Sequence, residues 1–160
     1  LVHETLAREA GEEVAFTEIL RPLVQMVNEA VTSPDRRIEF EVTGDAGTLP
    51  AQVATPMAVV LTELLQNTAD HAFPLGTRLY EPAHVQIDLS RDHYELVVKV
   101  VDNGVGVPEG FTVEDAKGLV FSIVRALVTS DLKGSIELHS PVQGSGTEVH
   151  LHVPLSAFAN

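Results

Sequence analysis

Glu63, Asn67 and His71 follow one another at i, i+4 and i+8. Side chains four residues apart project from one side of a helix, so this spacing stacks a carboxylate, an amide and an imidazole in a single stripe. The neighbouring stripe is apolar: Val60, Leu61, Leu64, Leu65, Thr68 and Ala72 recur at three- and four-residue intervals, as on a core-facing helix. A solvated face is the ordinary explanation for polar residues beside such a stripe. Against it, Asn competes with the helix for local backbone groups, and the stretch from Thr55 to Pro74 has neither Lys nor Arg. The stripe is a site if other segments supply the rest of one.

Three segments qualify. Asp102-Asn103-Gly104-Val105-Gly106 leaves the end of an apolar run. Asn-Gly is the commonest two-residue hairpin turn, yet such a turn re-enters a strand at once, and residues 105–110 make a poor strand. A carboxylate at a strand end, followed by glycines that permit close backbone approach, suits a planar ring bearing an amino group. Lys117-Gly118-Leu119-Val120 opens a helix, where free N–H groups form an anion site and Lys117 adds positive charge. Gly144-Ser145-Gly146-Thr147 precedes the last apolar alternation. Taken singly, the second is an ordinary glycine before a helix and the third a hairpin loop.

Composition limits what these segments can serve. A chain of 160 residues, 44% hydrophobic and 21% charged, suits one domain with a single core. The absence of cysteine excludes disulfides and thiolate metal sites. No run approaches the roughly twenty apolar residues of a membrane span, and no secretory signal opens the sequence. A net charge of −13 argues against nucleic acid as a partner, and Arg36-Arg37 is too short for a basic patch. An anionic ligand would therefore need a metal ion, backbone N–H groups or a helix N-terminus.

The elements that must position these residues follow from periodicity. Residues 1–15 are polar and loosely helical, and a helix is expected from about Thr17 to Val31 with Ile19, Leu23, Val24, Val27 and Val31 inward. Arg37 to Val42 alternates as a strand, followed by the turn-rich Gly44-Asp45-Ala46-Gly47. The central helix is expected to open with Thr55 as N-cap and Pro56 in its first position, and to close at Pro74. Val85, Ile87 and Leu89, then Leu96 to Val101, read as an antiparallel hairpin turning at Arg91-Asp92-His93. A further helix carries Leu119, Ile123, Leu127 and Val128 inward and ends near Leu132. Ile136 and Leu138 mark one more strand, and Val149, Leu151 and Val153 the last. The sum is a two-layer α+β sandwich, a mixed and mostly antiparallel sheet with helices on one face.

The order of the four short segments resembles the ATP-binding domain shared by gyrase, Hsp90, histidine kinases and MutL (the GHKL group, or Bergerat fold). Glu63-Leu-Leu-Gln-Asn67 is similar to that family's N box and Asp102-Asn-Gly-Val-Gly106 to its first glycine box. Gly118-Leu-Val-Phe-Ser-Ile-Val resembles the second glycine box, and Gly144-Ser-Gly-Thr147 the third. Within the family, residues 121–128 resemble the corresponding helix of sensor histidine kinases. Val2-His3-Glu4-Thr5-Leu6 is similar to the end of the dimerisation helix in the subfamily with an alternative phosphoacceptor domain, near the HWE kinases. Residues 1–15 are accordingly expected to be a remnant of that helix, and residues 16–160 the catalytic domain. The phosphorylated histidine of those kinases lies well upstream, so His3 is not the expected acceptor.

The resemblance implies roles. Asn67 would ligate Mg²⁺ on the phosphates of ATP, and Glu63 would accept a hydrogen bond from the nucleophile or a water and act as base. Asp102 would receive the adenine amino group, directly and through a water held by Thr147 beside Gly146. Gly104 and Gly106 would let the chain pass under the ring. Gly118 and Leu119 would present N–H groups to phosphate, with Lys117 and His71 nearby, under a short lid of residues 107–117. Further partners would be the kinase's own dimerisation domain and a response regulator, in the cytoplasm. Two residues depart from the pattern: Asp70 stands where the family usually has Lys or Arg, and Val120 where the second box usually has Gly. Both imply weaker nucleotide binding. A serine kinase of the anti-sigma type, an ATPase, or an interaction module without nucleotide are the alternatives. His150 and His152 share a strand face with no carboxylate expected beside them, and His84, His93 and His139 read as solvated.

Overall fold

The computed structural model describes residues 13–74, 76, 82–106, 119–140 and 145–158. Seven strands and three α-helices run in the order β1 (Glu13–Ala15), α1 (Phe16–Val31), β2 (Ile38–Gly44), β3 (Thr48–Pro50), α2 (Ala51–Ala72), β4 (Ala83–Arg91), β5 (Glu95–Asp102), α3 (Leu119–Ala126), β6 (Ser135–His139) and β7 (Thr147–Pro154). The main sheet has the strand order β2-β4-β5-β7-β6. Only the β2–β4 pair is parallel; β4–β5, β5–β7 and β6–β7 are antiparallel. This is the mixed, mostly antiparallel two-layer α+β architecture that the periodicity predicts.

Alternation builds the core. Val85, Ile87 and Leu89, then Leu96, Val98 and Val100, then Val149, Leu151 and Val153 are buried on one face. Against them pack Leu20, Val24 and Val27 of α1 and Met57, Leu61, Leu64 and Leu65 of α2. His84, Gln86 and Asp88, then Glu95 and Lys99, then Glu148, His150 and His152 line the opposite face, while Asp102 and Thr147 stay on the buried one. No helix among the described residues is long and apolar enough to cross a membrane.

Several details differ from the periodic reading. Glu13–Ala15 pairs antiparallel with Thr48–Pro50 rather than coiling as a helix; strands of three residues leave no periodic signal. In α1, Phe16 and Leu20 are buried while Ile19 is exposed, because the helix begins at Phe16 and its stripe is rotated accordingly. Helix α2 begins at Ala51 after Pro50, so Thr55 is no cap and Pro56 lies in the second turn. The carbonyl of Gln52, which Pro56 leaves without a helical donor, belongs to an exposed residue that water can reach. In the last helix Ile123 is 44% exposed, and Val124, Val128 and Leu132 face the core. There α3 continues as a π-helical turn over Leu127–Asp131, with the N–H of Leu132 donating to the Leu127 carbonyl at 2.9 Å. The buried stripe thus runs at i, i+4 and i+8 through Val124, Val128 and Leu132, one residue along from the stripe expected through Ile123.

Candidate functional site

The apolar stripe of α2 does what its spacing predicts: Val60, Leu61, Leu64, Leu65, Thr68 and Ala72 are all buried. On the adjoining stripe Glu63 and Asn67 are half-buried and His71 is exposed. Among the described residues, none of these three side chains has a hydrogen-bond or ion-pair partner. A half-buried carboxylate and amide one turn apart, neither satisfied by the described residues, are groups open to a ligand or to water.

Strand β5 ends at Asp102, which is 7% exposed. Its Oδ1 accepts from the backbone N–H of Gly104 at 2.9 Å and from that of Thr147 at 3.2 Å. Its Oδ2 has no partner among the described residues. Burial pushes the carboxyl up to about 6, and the two N–H donors offset only part of that. Thr147, also buried, sits directly across the β5–β7 ladder from Asp102. Gly146 ahead of it has φ +123, and a Cβ there would lie 2.0 Å from the Asp102 carbonyl oxygen, so only glycine fits. The first and third glycine segments therefore meet at Asp102.

The Asn103-Gly104 step is not a hairpin turn, since the neighbours of β5 are β4 and β7. Gly104 instead packs on the end of α2: a Cβ would meet the Ala72 carbonyl oxygen at 2.2 Å, and the N–H of Val105 donates to that oxygen at 2.9 Å. Its missing side chain thus makes room for a helix end. Asn67 lies five residues before Ala72, about 7.5 Å along the helix axis, so the strand exit is anchored to the helix that carries Asn67. The Asn103 side chain completes the anchor, accepting from the N–H of His84 and donating to the Pro82 carbonyl, each at 2.8 Å.

A residue that the sequence reading passed over also lies here. The Arg36 guanidinium, its side chain 15% exposed, donates to the carbonyl of Val31 at the end of α1 and to those of Ala69 and Phe73 at the end of α2. It also pairs with Asp70 at 3.2 Å. The reversed charge at Asp70 is therefore met by a cation from the preceding loop. A basic residue just after a helix end is the signal that could have found it.

Lys117 and Gly118, the lid of residues 107–117, Gly144 and residues 1–12 lie outside the described residues. Leu119 is the first residue of α3. His150 and His152 do share the open sheet face, but carboxylates accompany them: Glu148 lies 3.0 Å from His150 and Glu95 3.5 Å from His152. Strand pairing, which a linear reading does not supply, also sets Glu137 directly opposite His150.

The model of the histidine kinase-, DNA gyrase B- and HSP90-like ATPase family matches residues 52–157. The chain belongs to that family. The sensor histidine kinase PdtaS of Mycolicibacterium smegmatis is 39% identical over 155 residues, 97% of this chain and 30% of that protein. The chain thus spans about a third of the length of the curated relatives it matches. The histidine kinase domain of the Erythrobacter litoralis EL346 blue-light activated histidine kinase superposes with a TM-score of 0.74 at 27% identity, covering 91% of this chain and 63% of that one. The histidine kinase ThkA, solved in complex with the response regulator protein TrrA, shares the fold at 19% identity and a TM-score of 0.69, covering 89% of this chain and 41% of that one. Membership in this ATPase family implies ATP as the ligand, and the relatives imply a domain of the histidine-kinase type.

Proposed function

We propose that this family member is the ATP-binding and catalytic domain of a sensor histidine kinase, which binds Mg-ATP and passes the γ-phosphoryl group to a histidine of a dimerisation domain. What carries the reading is the Oδ2 of Asp102, which has no partner among the described residues. A buried acceptor, fixed by two backbone donors to its sister oxygen, suits the exocyclic amino group of adenine. Thr147 adds a hydroxyl beside it for a bridging water.

Asn67 and Glu63 fit a metal-triphosphate end. An amide oxygen is a hard ligand of the kind Mg²⁺ takes, and both side chains are half-buried with no partner among the described residues. Mg²⁺ there would supply the positive charge that phosphoryl transfer needs and that this acidic chain lacks. Asn67 then holds the cation, Glu63 orients or deprotonates the nucleophile, and His71, Lys117, Gly118 and Leu119 complete the phosphate contacts. Gly106 and Gly146 border the ring site. We assign the residues ahead of Glu13 to the region that precedes the catalytic domain, count β1 with the domain because it pairs with β3, and place the protein in the cytoplasm, where ATP is supplied. A response regulator is the expected downstream partner, in keeping with the ThkA neighbour.

Calorimetric titration of Mg-ATP into wild type, Asn67→Ala and Asp102→Asn tests this. Binding by the wild type and a loss of about a hundredfold in each variant is expected. Equal behaviour in all three, including no binding at all, overturns the reading. Acid-labile phosphate transferred to a histidine-bearing dimerisation domain separates a histidine kinase from a serine kinase on the same fold.

A further inference from the structure

We propose that Glu137, His139 and His150 form a binding site for a first-row divalent cation of the Zn²⁺ class on the open face of the sheet. One ligand atom from each lies within 4.8 Å of the other two. The arrangement is built into the β-ladder: β6 pairs with β7 so that Glu137 stands directly opposite His150, with His139 one step further along the same face. The two imidazoles face each other, ring centroids 4.2 Å apart and planes 31° from parallel.

Two imidazoles and one carboxylate are the borderline nitrogen and oxygen donors that suit Zn²⁺ and its neighbours, and they suit Mg²⁺ poorly. Tetrahedral bonds of about 2.0–2.1 Å set ligand atoms about 3.3 Å apart. Side-chain rotation alone can close the present spacing, because the strands already hold the three backbones in register. Glu148, 3.0 Å from His150, supplies a further carboxylate to orient that imidazole or take the fourth position. One neighbour opposes the cation: Lys99 is paired with His150 from the β5 side. Its long, flexible side chain can swing away.

This face is not the one that holds Asp102, so the site is independent of the nucleotide. Its effect is mechanical: a cation bridging β6 and β7 closes the hairpin whose return strand begins at Thr147.

Zn²⁺ alone is the probe. The 160-residue chain is titrated with ZnCl₂ by calorimetry in chelator-free buffer with Mg²⁺ in excess and no nucleotide. One Zn²⁺ per chain and a rise in Tm are expected. His139→Ala, His150→Ala and Glu137→Gln should each weaken binding by more than tenfold, since even outer-shell changes cost about 10–100-fold. His93→Ala, in the β4–β5 turn, should leave binding unchanged. Circular dichroism establishes that each variant is folded; if His150→Ala is not, His150→Gln provides the same reading. Co²⁺-loaded wild type should show tetrahedral visible bands that His150→Gln lacks. No stoichiometric uptake, or uptake equal in wild type and the three ligand variants, overturns the proposal.

Discussion

The two ends of the candidate site are built in opposite ways. At Asp102 the chain does everything itself: the carboxylate is buried, one oxygen is pinned by two backbone N–H groups, and the adjacent glycines admit no side chain. At Asn67 the chain does little, since Glu63, Asn67 and His71 lie on a helix surface with no partners among the described residues. Ordering a side chain on binding costs free energy, so the first end is preorganised for its ligand and the second is completed by it. If the proposed roles hold, recognition and chemistry are separated in space, rigid at one end and adaptable at the other.

The largest effect that can break this contrast is at Asp102. Its folded-state value of about 6 lies above the ordinary 3.8, so the folded protein holds the extra proton between those values. The carboxyl's contribution to stability is fullest below pH 3.8 and is lost as pH rises through about 6; the cost at neutral pH is about 3 kcal/mol. Asp102→Asn keeps an oxygen for both backbone donors but replaces the free acceptor with a donor. It should raise stability to urea by about 2 kcal/mol at pH 8 while weakening nucleotide binding about a hundredfold, and the gain should vanish near pH 4. A variant that is no more stable at pH 8 would mean that the buried charge is already satisfied.

A smaller effect is expected where the two ends join. Arg36→Met keeps the aliphatic stem and removes donors to three helix-terminal carbonyls. A loss of about 2 kcal/mol in urea unfolding should follow, with weaker Mg-ATP binding because Asp70 is left unpaired. Unchanged stability would show that water replaces the guanidinium fully. The smallest effect is at Asp70 itself, whose side chain is 66% exposed. Asp70→Asn should tighten Mg-ATP about threefold at low ionic strength and less at high. Salt-independent affinity in this pair would put the phosphates elsewhere.

Periodicity made the sheet, its mixed topology and the two stripes of α2 legible, because burial of alternating or helically spaced apolar residues leaves a mark in sequence. Asp102 was legible for a related reason: a carboxylate closing a run as apolar as residues 96–101 stands out. Short β1 and β3 left no such mark, and in the last helix two adjacent apolar residues, Ile123 and Val124, gave periodicity no means of telling which one faces inward. Arg36 left one mark, a basic residue just after a helix end, but its reach to α2 was hidden because it exists only where the ends of α1 and α2 converge. The requirement for glycine at position 104 was seen, but the obstacle there is a helix carbonyl.

The parallel β2–β4 pairing has a further consequence. Two parallel strands cannot be joined by a tight turn, and the segment that crosses between them contains α2. With Arg36 and Gly104 seated at its far end, the helix bearing Glu63 and Asn67 behaves as a cross-beam locked into the frame. Tilting it would strain the contacts that Arg36 and Gly104 make with its end, so Glu63 and Asn67 are held in a fixed relation to the exit of β5.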